Sequence, residues 1–404
     1  MPDADSVSPR ADPGDAEPPS RRRMWPLYAA GFTTAFGAHA IAANLGGFAP
    51  GAVRSLLVLG GLLALYDGAE VLLKPVFGAL SDRIGARPVL LGGLVAFAVA
   101  SAVYALAGSA GWLWAARLGQ GAAAAAFSPA ASALVARLNP AAQHGRAFGS
   151  YGFFKSIGYT LGPLLGGVLA WAGGLRLLFT VLAVLGAAVA LAAAIVVPAV
   201  PPLPKVRQTV LDLARGLADP VFLGPTAALA AATAALSVGV GFLPVAGRAA
   251  GLGTLATGAV VSLLAACGAL VQPRAGRALD EGRLTVRSGL TAGLAVTAAG
   301  LAAAMLPGLL GLLAGAAVIG VGTGLITPLG FTALAASTPA ARLGQTMGAA
   351  ELGRELGDAG GPLLVAAVAS AAGLVYGFGT LAILLALGAA LAFTRRAPAT
   401  DTTV

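Results

Sequence analysis

The stretch YDGAEVLLKPVFGALSDRIGARPVLL, Tyr66–Leu91, decides how the rest of the chain is read. Its first part has the pattern of an apolar helix in which Asp67, Glu70 and Lys74 recur at spacings of three and four. That spacing puts the three charges on one helical face. Its second part is a tight basic loop, Gly78-Ala79-Leu80-Ser81-Asp82-Arg83-Ile84-Gly85-Ala86-Arg87. Charges inside an apolar span are costly to hold, and a chain that keeps them there is expected to use them.

The composition fixes the environment. Of 404 residues, 58% are hydrophobic and only 10% charged, with a mean hydropathy of +0.87, a balance that excludes a soluble domain and implies a polytopic helical membrane protein. With 58 glycines and 6% aromatics, the helices are expected to pack by close backbone approach. The single cysteine, Cys267, excludes an intramolecular disulfide and a cysteine metal cluster. The net charge of +9 is a topology signal rather than a nucleic-acid signal, because most basic residues fall in short loops on one side.

Twelve spans are long enough to cross a bilayer, at about 1.5 Å per residue. Their expected limits are 25–48, 55–79, 88–108, 112–135, 147–171, 175–197, 221–246, 254–275, 286–306, 308–335, 344–369 and 374–394. Residues 1–24, polar and Pro-rich and ending in Arg21-Arg22-Arg23, read as a disordered cytoplasmic tail, and 395–404 as a second one. The connection 198–220, with Pro201, Pro202, Pro204 and an amphipathic piece Val210–Leu217, reads as a cytoplasmic linker between bundles 25–197 and 221–394. Loops carrying Arg83/Arg87, Arg137/Arg146, Lys205/Arg207/Arg215, Arg274/Arg277/Arg283/Arg287 and Arg342 fall on one side, against Arg54, Arg176 and Arg248 on the other. This bias places both termini in the cytoplasm of a multi-pass inner-membrane protein.

The two halves repeat. Ser128-Pro129 matches Thr327-Pro328, and Asn139-Pro140-Ala141-Ala142 matches Thr338-Pro339-Ala340-Ala341. Gly145, Gly149, Gly158, Gly162 and Pro163 match Gly344, Gly348, Gly357, Gly361 and Pro362, and Lys155 falls on Arg354. Lys74-Pro75, Gly78 and Asp82 match Gln272-Pro273, Gly276 and Asp280. Two such halves predict a site between them near the midplane, with rocking about it.

With these motifs in order, the sequence resembles the major facilitator superfamily over residues 25–394. The loop Gly78–Arg87 looks like the family's signature between helices 2 and 3, with Ala86 at a position that is usually basic. Leu113-x-x-x-Arg117-x-x-Gln120-Gly121 is similar to its helix 4 signature. Gly149-x8-Gly158-x3-Gly162-Pro163-x2-Gly166-Gly167 looks like the helix 5 signature of the drug:proton antiporter branch, although such kinks also occur for packing alone. The resemblance implies an all-α membrane protein whose 12 helices form two pseudo-symmetric six-helix bundles, with helices 2 and 11 as neighbours.

Asp82 is then expected at the start of helix 11, whose exposed N–H groups and positive dipole end favour an anion. Gly78, Asp82, Arg83, Arg87 and the pseudo-symmetric Asp280 form the expected gate. An ordinary turn, with Asp82 paired to Arg83 or Arg87, is the alternative. Deeper in, helix 11 carries Glu351, Arg354, Glu355 and Asp358 on one face. Counting depth along antiparallel helices sets Lys74 opposite Glu351, Glu70 opposite Arg354, and Asp67 opposite Asp358. Five embedded carboxylates face Lys74, Arg117, Lys155 and Arg354, so one negative charge is in excess, as a proton-coupled carrier needs. A static network joining the halves is the alternative.

Further polar positions are His39 and Asn44 in helix 1, Lys155 in helix 5 without an obvious partner, and Thr233, Ser237, Thr323 and Thr327 in helices 7 and 10. These are the candidate substrate contacts. His39 could equally be packed and hydrogen-bonded, and the threonines could satisfy only their own backbone. His144 is expected in a solvated loop. Arg117 could exchange a carboxylate partner or snorkel. No Walker loop, His-Glu-x-x-His or paired-cysteine site is present, so no enzyme chemistry, cofactor or metal is expected. The expectation is a monomeric, proton-coupled exporter of a small amphipathic compound or drug. Its partners are that small-molecule substrate, protons and the lipid bilayer, with no nucleic acid. An uptake symporter or facilitator is the second reading, and a non-transporting membrane enzyme or sensor the third.

Overall fold

A computed structural model describes residues 21–44, 52–107, 110–201 and 218–394. The amphipathic piece Val210–Leu217, most of the linker and most of both tails lie outside the described residues. The long helices are α1 (Arg21–Asn44), α2 (Ala52–Ile84), α3 (Ala86–Ala107) and α4 (Ala110–Arg137). The segment His144–Val196 breaks at Gly173 and Gly174, giving α5 (144–172) and α6 (175–196). The second half holds α7 (Pro220–Ala249), α8 (Thr254–Asp280), α9 (Val286–Ala303), α10 (Gly308–Ser337), α11 (Leu343–Ala372) and α12 (Leu374–Thr394). α1 begins at Arg21, so the arginine run lies on the helix rather than in a tail, and Met24 is buried.

Among the described residues, seven segments are apolar and long enough to cross a membrane, one of them containing both α5 and α6. α1, α2, α4 and α11 are not among them. The shortfall has a physical cause: α2 and α11 carry the embedded charges, α4 carries Arg117 and Gln120, and α1 carries Thr33, Thr34, His39 and Asn44. Several of these polar groups are paid for within the helix, since Thr33, Thr34 and Asn44 donate to carbonyls four residues back.

The repeat seen in the sequence is a repeat in space. α1 packs on α5 as α7 packs on α11, α2 on α4 as α8 on α10, and α3 on α4 as α9 on α10. The halves meet through α2 against α11 and α5 against α8. The turn between α5 and α6 uses Gly174 at φ 67°, and the equivalent turn between α11 and α12 uses Gly373 at φ 105°. Both φ values lie in the left-handed region that a side chain disfavours. Helix prolines recur in register, Pro75 with Pro273, Pro129 with Pro328, and Pro163 with Pro362. Neighbouring helices can satisfy the carbonyls such prolines free. Trp25, Trp112, Trp114 and Trp171 all sit near helix ends with exposed rings, as interfacial anchors do.

Candidate functional site

The site is built from one end of the bundle upward. At that end α11 starts at Leu343, and its first N–H groups need acceptors. Asp82, at the end of α2, supplies them: Oδ1 accepts from Gly344 N at 2.7 Å and Oδ2 from Gln345 N at 2.8 Å. Asp280, at the end of α8, accepts from Gly145 N and Arg146 N of α5, both at 2.8 Å. Glycine makes both contacts possible. A Cβ on Gly78 would lie 2.5 Å from the Gly344 carbonyl oxygen, and one on Gly149 would lie 2.5 Å from that of Gln272. Backbone meets backbone on both seams, and this end of the molecule is closed.

The expected loop Gly78–Arg87 is helical on both sides of Gly85, with Arg83 on α2 and Arg87 on α3, and neither arginine pairs with Asp82. Arg83 is exposed. Arg87 donates to the carbonyls of Val197 at 2.8 Å and Ala194 at 2.6 Å, capping the end of α6. Arg137 donates to the Pro201 carbonyl at 2.8 Å. His144 is not in a solvated loop; it opens α5, is buried, and its Nε2 faces the carbonyls of Ala136 at 2.9 Å and Asn139 at 3.1 Å.

Above the caps lies a six-charge cluster. The Lys74 ammonium is 2.5 Å from Glu355 Oε1, 3.2 Å from Glu70 Oε2 and 3.8 Å from Glu351 Oε2. Glu351, with no exposed surface, also faces Lys155 at 3.5 Å and Arg354 at 3.3 Å. Three acids meet three bases, so the cluster is neutral. Two expectations are corrected. Glu70 does not pair with Arg354; it bonds Lys74 and Tyr66. Depth matching compares heights along the axis but not direction around it. Arg354 turns toward Glu351, the Phe331 ring at 5.8 Å and Tyr159, leaving its neighbour Glu355 to reach α2. Lys155 does have an acid, Glu351, contributed by α11 rather than by α8.

Arg117 stays outside the cluster. It is 1% exposed, lies 4.2 Å over the Tyr66 ring and donates through Nε to the Leu62 carbonyl at 3.4 Å, so it does not snorkel. Gln120 donates to Ser101 at 2.8 Å. Gly121 presses on the Tyr66 backbone. The helix 5 glycines Gly158, Gly162 and Gly166 pack α5 onto α1, where added Cβ atoms would come within 2.6 Å of Phe32, 3.0 Å of His39 and 2.7 Å of Ala40. Gly167 has only Asn44 nearby, at 3.5 Å, and Pro163 lines the cavity described next.

From the cluster upward the halves separate around a cavity of about 810 Å3. Asp67 and Asp358 line it, both exposed, and neither lies within ion-pair distance of a cation among the described residues. Ser237 donates to Asp358. His39 lines the wall with its ring edge-on to Tyr159, centroids 4.5 Å apart, and its Nδ1 3.1 Å from the Ala35 carbonyl. Thr233 also lines it but donates to the Leu229 and Arg354 carbonyls, tying α7 to α11. Asn44, Thr323 and Thr327 bond to carbonyls of their own helices. The α5/α8 wall is more apolar, with Leu164, Val261 and Ala265. Tyr66 and Tyr159 were missed from the sequence. In a chain with 6 tyrosines, one four residues after Lys155 on the same face was a usable signal.

Against known proteins, a family model described as Major Facilitator Superfamily matches residues 25–286 and 260–403. An uncharacterised MFS-type transporter of Mycobacterium tuberculosis is 37% identical over 126 residues, 31% of this chain and 22% of that protein. A class H tetracycline resistance protein of Pasteurella multocida is 36% identical over 27% of each chain. The quinolone resistance protein NorA of Staphylococcus aureus is 29% identical over 28% of this chain and 29% of its own. These matches thus span under a third of the relatives' length. Among solved structures, the human organic anion transporter MFSD10 superposes with a TM-score of 0.79 at 22% identity, covering 93% of this chain and 100% of that one. The transporter FucP superposes at 0.76 and 13% identity, covering 94% and 100%.

Proposed function

The chain belongs to the major facilitator superfamily, and from that premise we propose that it is a proton-coupled exporter of a small amphipathic compound. One observation carries this reading: a large cavity, closed at one end, presents Asp67 and Asp358 without cation partners among the described residues, just above a charge-balanced cluster. The closed end carries Arg83, Arg87, Arg137, Arg146, Arg283 and Arg342, while the open end carries Arg176 and Arg248. The side richer in short basic loops is the cytoplasmic one, so the cavity faces outward.

In that orientation an outside proton reaches the two aspartates through water in the cavity. Neutralising one lowers the cost of enclosing both when the halves rock over them. Rocking breaks the Asp82 and Asp280 caps and opens the opposite end. Water there stabilises the charged form, the proton leaves, and substrate binds the vacated site. The apolar α5/α8 wall and the acidic α2/α11 wall suit a body with one apolar and one polar face. The resistance proteins among the relatives favour export over uptake.

Proteoliposomes with an imposed pH gradient test the direction, with tetracycline and a quinolone as first probes. Proton-driven movement of either probe opposite to the proton supports antiport. Movement with the proton would establish the symport reading instead.

A further inference from the structure

Two arginines face each other across the α5/α8 seam at the closed end. A Cβ on Gly276 would collide with the Gly145 carbonyl and lie 3.1 Å from Arg146 N. Arg146 and Arg277 are the next residues along the two helices, one in each half, and both are exposed. Arg274, one turn back on α8, is exposed as well. Among the described residues none of the three forms an ion pair within 4.0 Å. Arg277 donates to the Pro273 carbonyl and Arg274 to the Leu270 carbonyl, both of their own helix. The acid of this seam, Asp280, uses its oxygens on the Gly145 and Arg146 N–H groups. Three positive charges therefore stand against one negative, and closing the seam brings like charges together. The repeat shows that the fold does not require them: the α2/α11 seam has Gln345, Val76 and Ala79 at these positions, its own arginines being Arg83 and Arg342.

The chain enters α1 beside this seam. α1 packs on α5, and Asn139, in the turn that leads into α5, donates through Nδ2 to Met24 Sδ at 3.5 Å. Residues 1–20 precede that entry and lie outside the described residues. They carry Asp3, Asp5, Asp12, Asp15 and Glu17 against Arg10, five acids to one base. Asp15 is six residues ahead of Arg21, and six extended residues span up to about 20 Å, enough to reach a neighbouring helix end.

We propose that the acidic segment 1–20 docks on Arg146, Arg274 and Arg277 and latches the closed end. Carboxylates set between the arginines relieve their repulsion and tie one half to the other, so opening must break the bridge. Single exposed ion pairs are weak, but a tethered segment acts at an effective concentration on the order of millimolar, so several weak pairs suffice. The latch is independent of the Asp82 and Asp280 caps, of the direction of substrate movement and of which compartment this end faces.

Double electron–electron resonance on Cys267→Ala protein in phosphatidylcholine nanodiscs tests it. Labels at Ser6 and Ala142 should give a short, narrow distance component. Its share should fall about fivefold in Arg146→Gln/Arg277→Gln, as expected when two exposed ion pairs are lost. The same fall should appear without those substitutions at roughly 0.5 M salt, where surface charges are screened. With labels at Ala142 and Ala340, replacing the five tail acids by their amides should raise the open component by about the same factor of five. In the Arg146→Gln/Arg277→Gln background that replacement should change nothing. A Ser6–Ala142 distribution indifferent to the two arginines overturns the proposal, and leaves the tail acids to Arg21–Arg23. Equal opening in both backgrounds overturns the latch. Loss of the short component in nanodiscs containing phosphatidylglycerol also overturns it, and assigns the arginines to lipid headgroups.

Discussion

Asp82 and Gly344 are 262 residues apart, yet the carboxylate of one accepts the backbone N–H of the other at 2.7 Å. The bond joins the end of α2 in the first half to the start of α11 in the second. It acts as a helix cap supplied from another domain. The equivalent bond from Asp280 to Gly145 gives the other seam the same construction. Two helix starts are thus satisfied only while the halves are closed at this end.

Removing one cap should loosen that end. Asp82→Ala leaves the Gly344 and Gln345 N–H groups without their acceptors, and loss of such a cap costs about 1 kcal/mol. That corresponds to roughly a fivefold rise in the open population. Spin labels on Ala142 and Ala340, exposed positions in matching turns of the two halves, would report it as a longer-distance component in Cys267→Ala protein. An unchanged distance distribution in both Asp82→Ala and Asp280→Ala would remove the caps from the gate.

The charge cluster makes an ordered claim about its pairs. Lys74 lies closer to Glu355 than to Glu351, 2.5 against 3.8 Å. Double-mutant cycles on thermal stability should therefore give a larger coupling for Lys74/Glu355, above about 1 kcal/mol, than for Lys74/Glu351. The reverse order would mean that the lysine is held chiefly by α11's buried acid.

Glu351→Gln should be the most damaging single charge removal. It leaves Lys155 and Arg354 without their carboxylate, while Lys74 keeps Glu70 and Glu355, and breaking a buried pair costs about 3–5 kcal/mol. A melting temperature within error of wild type would show that Lys155 and Arg354 find other partners.

Asp67→Asn and Asp358→Asn should behave in the opposite way. Both carboxylates face the cavity without an ion pair, so neutralising either should leave the melting temperature nearly unchanged. Transport driven by a pH gradient should be lost while energy-independent exchange persists. Glu70 and Glu355, bonded to Lys74, should show stability loss first. Full pH-driven transport in both asparagine variants would shift the coupling role to those glutamates.

Glycines should divide by what surrounds them. Gly276→Ala drives a methyl group into the Gly145 carbonyl, a backbone atom that cannot rotate away, and should part the α5/α8 seam. Gly241→Ala and Gly258→Ala add a methyl where nothing lies within 4 Å and should be tolerated. Equal losses of stability at all three sites would count against the close approach.

The sequence by itself carried the helical class, the internal repeat and the family resemblance. These rest on local and periodic signals: apolar runs of bilayer length, glycines and prolines recurring about two hundred residues apart, and charges at helical spacing. The position of Asp82 at the start of helix 11 was also legible, because a helix end always exposes N–H groups and the repeat supplied the second case at Asp280. The charge pairing was not. Glu70 with Lys74, Glu355 with Lys74 and Lys155 with Glu351 depend on how each helix is rotated about its axis. That rotation is set by packing against neighbours remote in sequence, such as α5 on α1 through Gly158 and Gly162. Depth alone could place Arg354 level with Glu70 but could not say which way it turned.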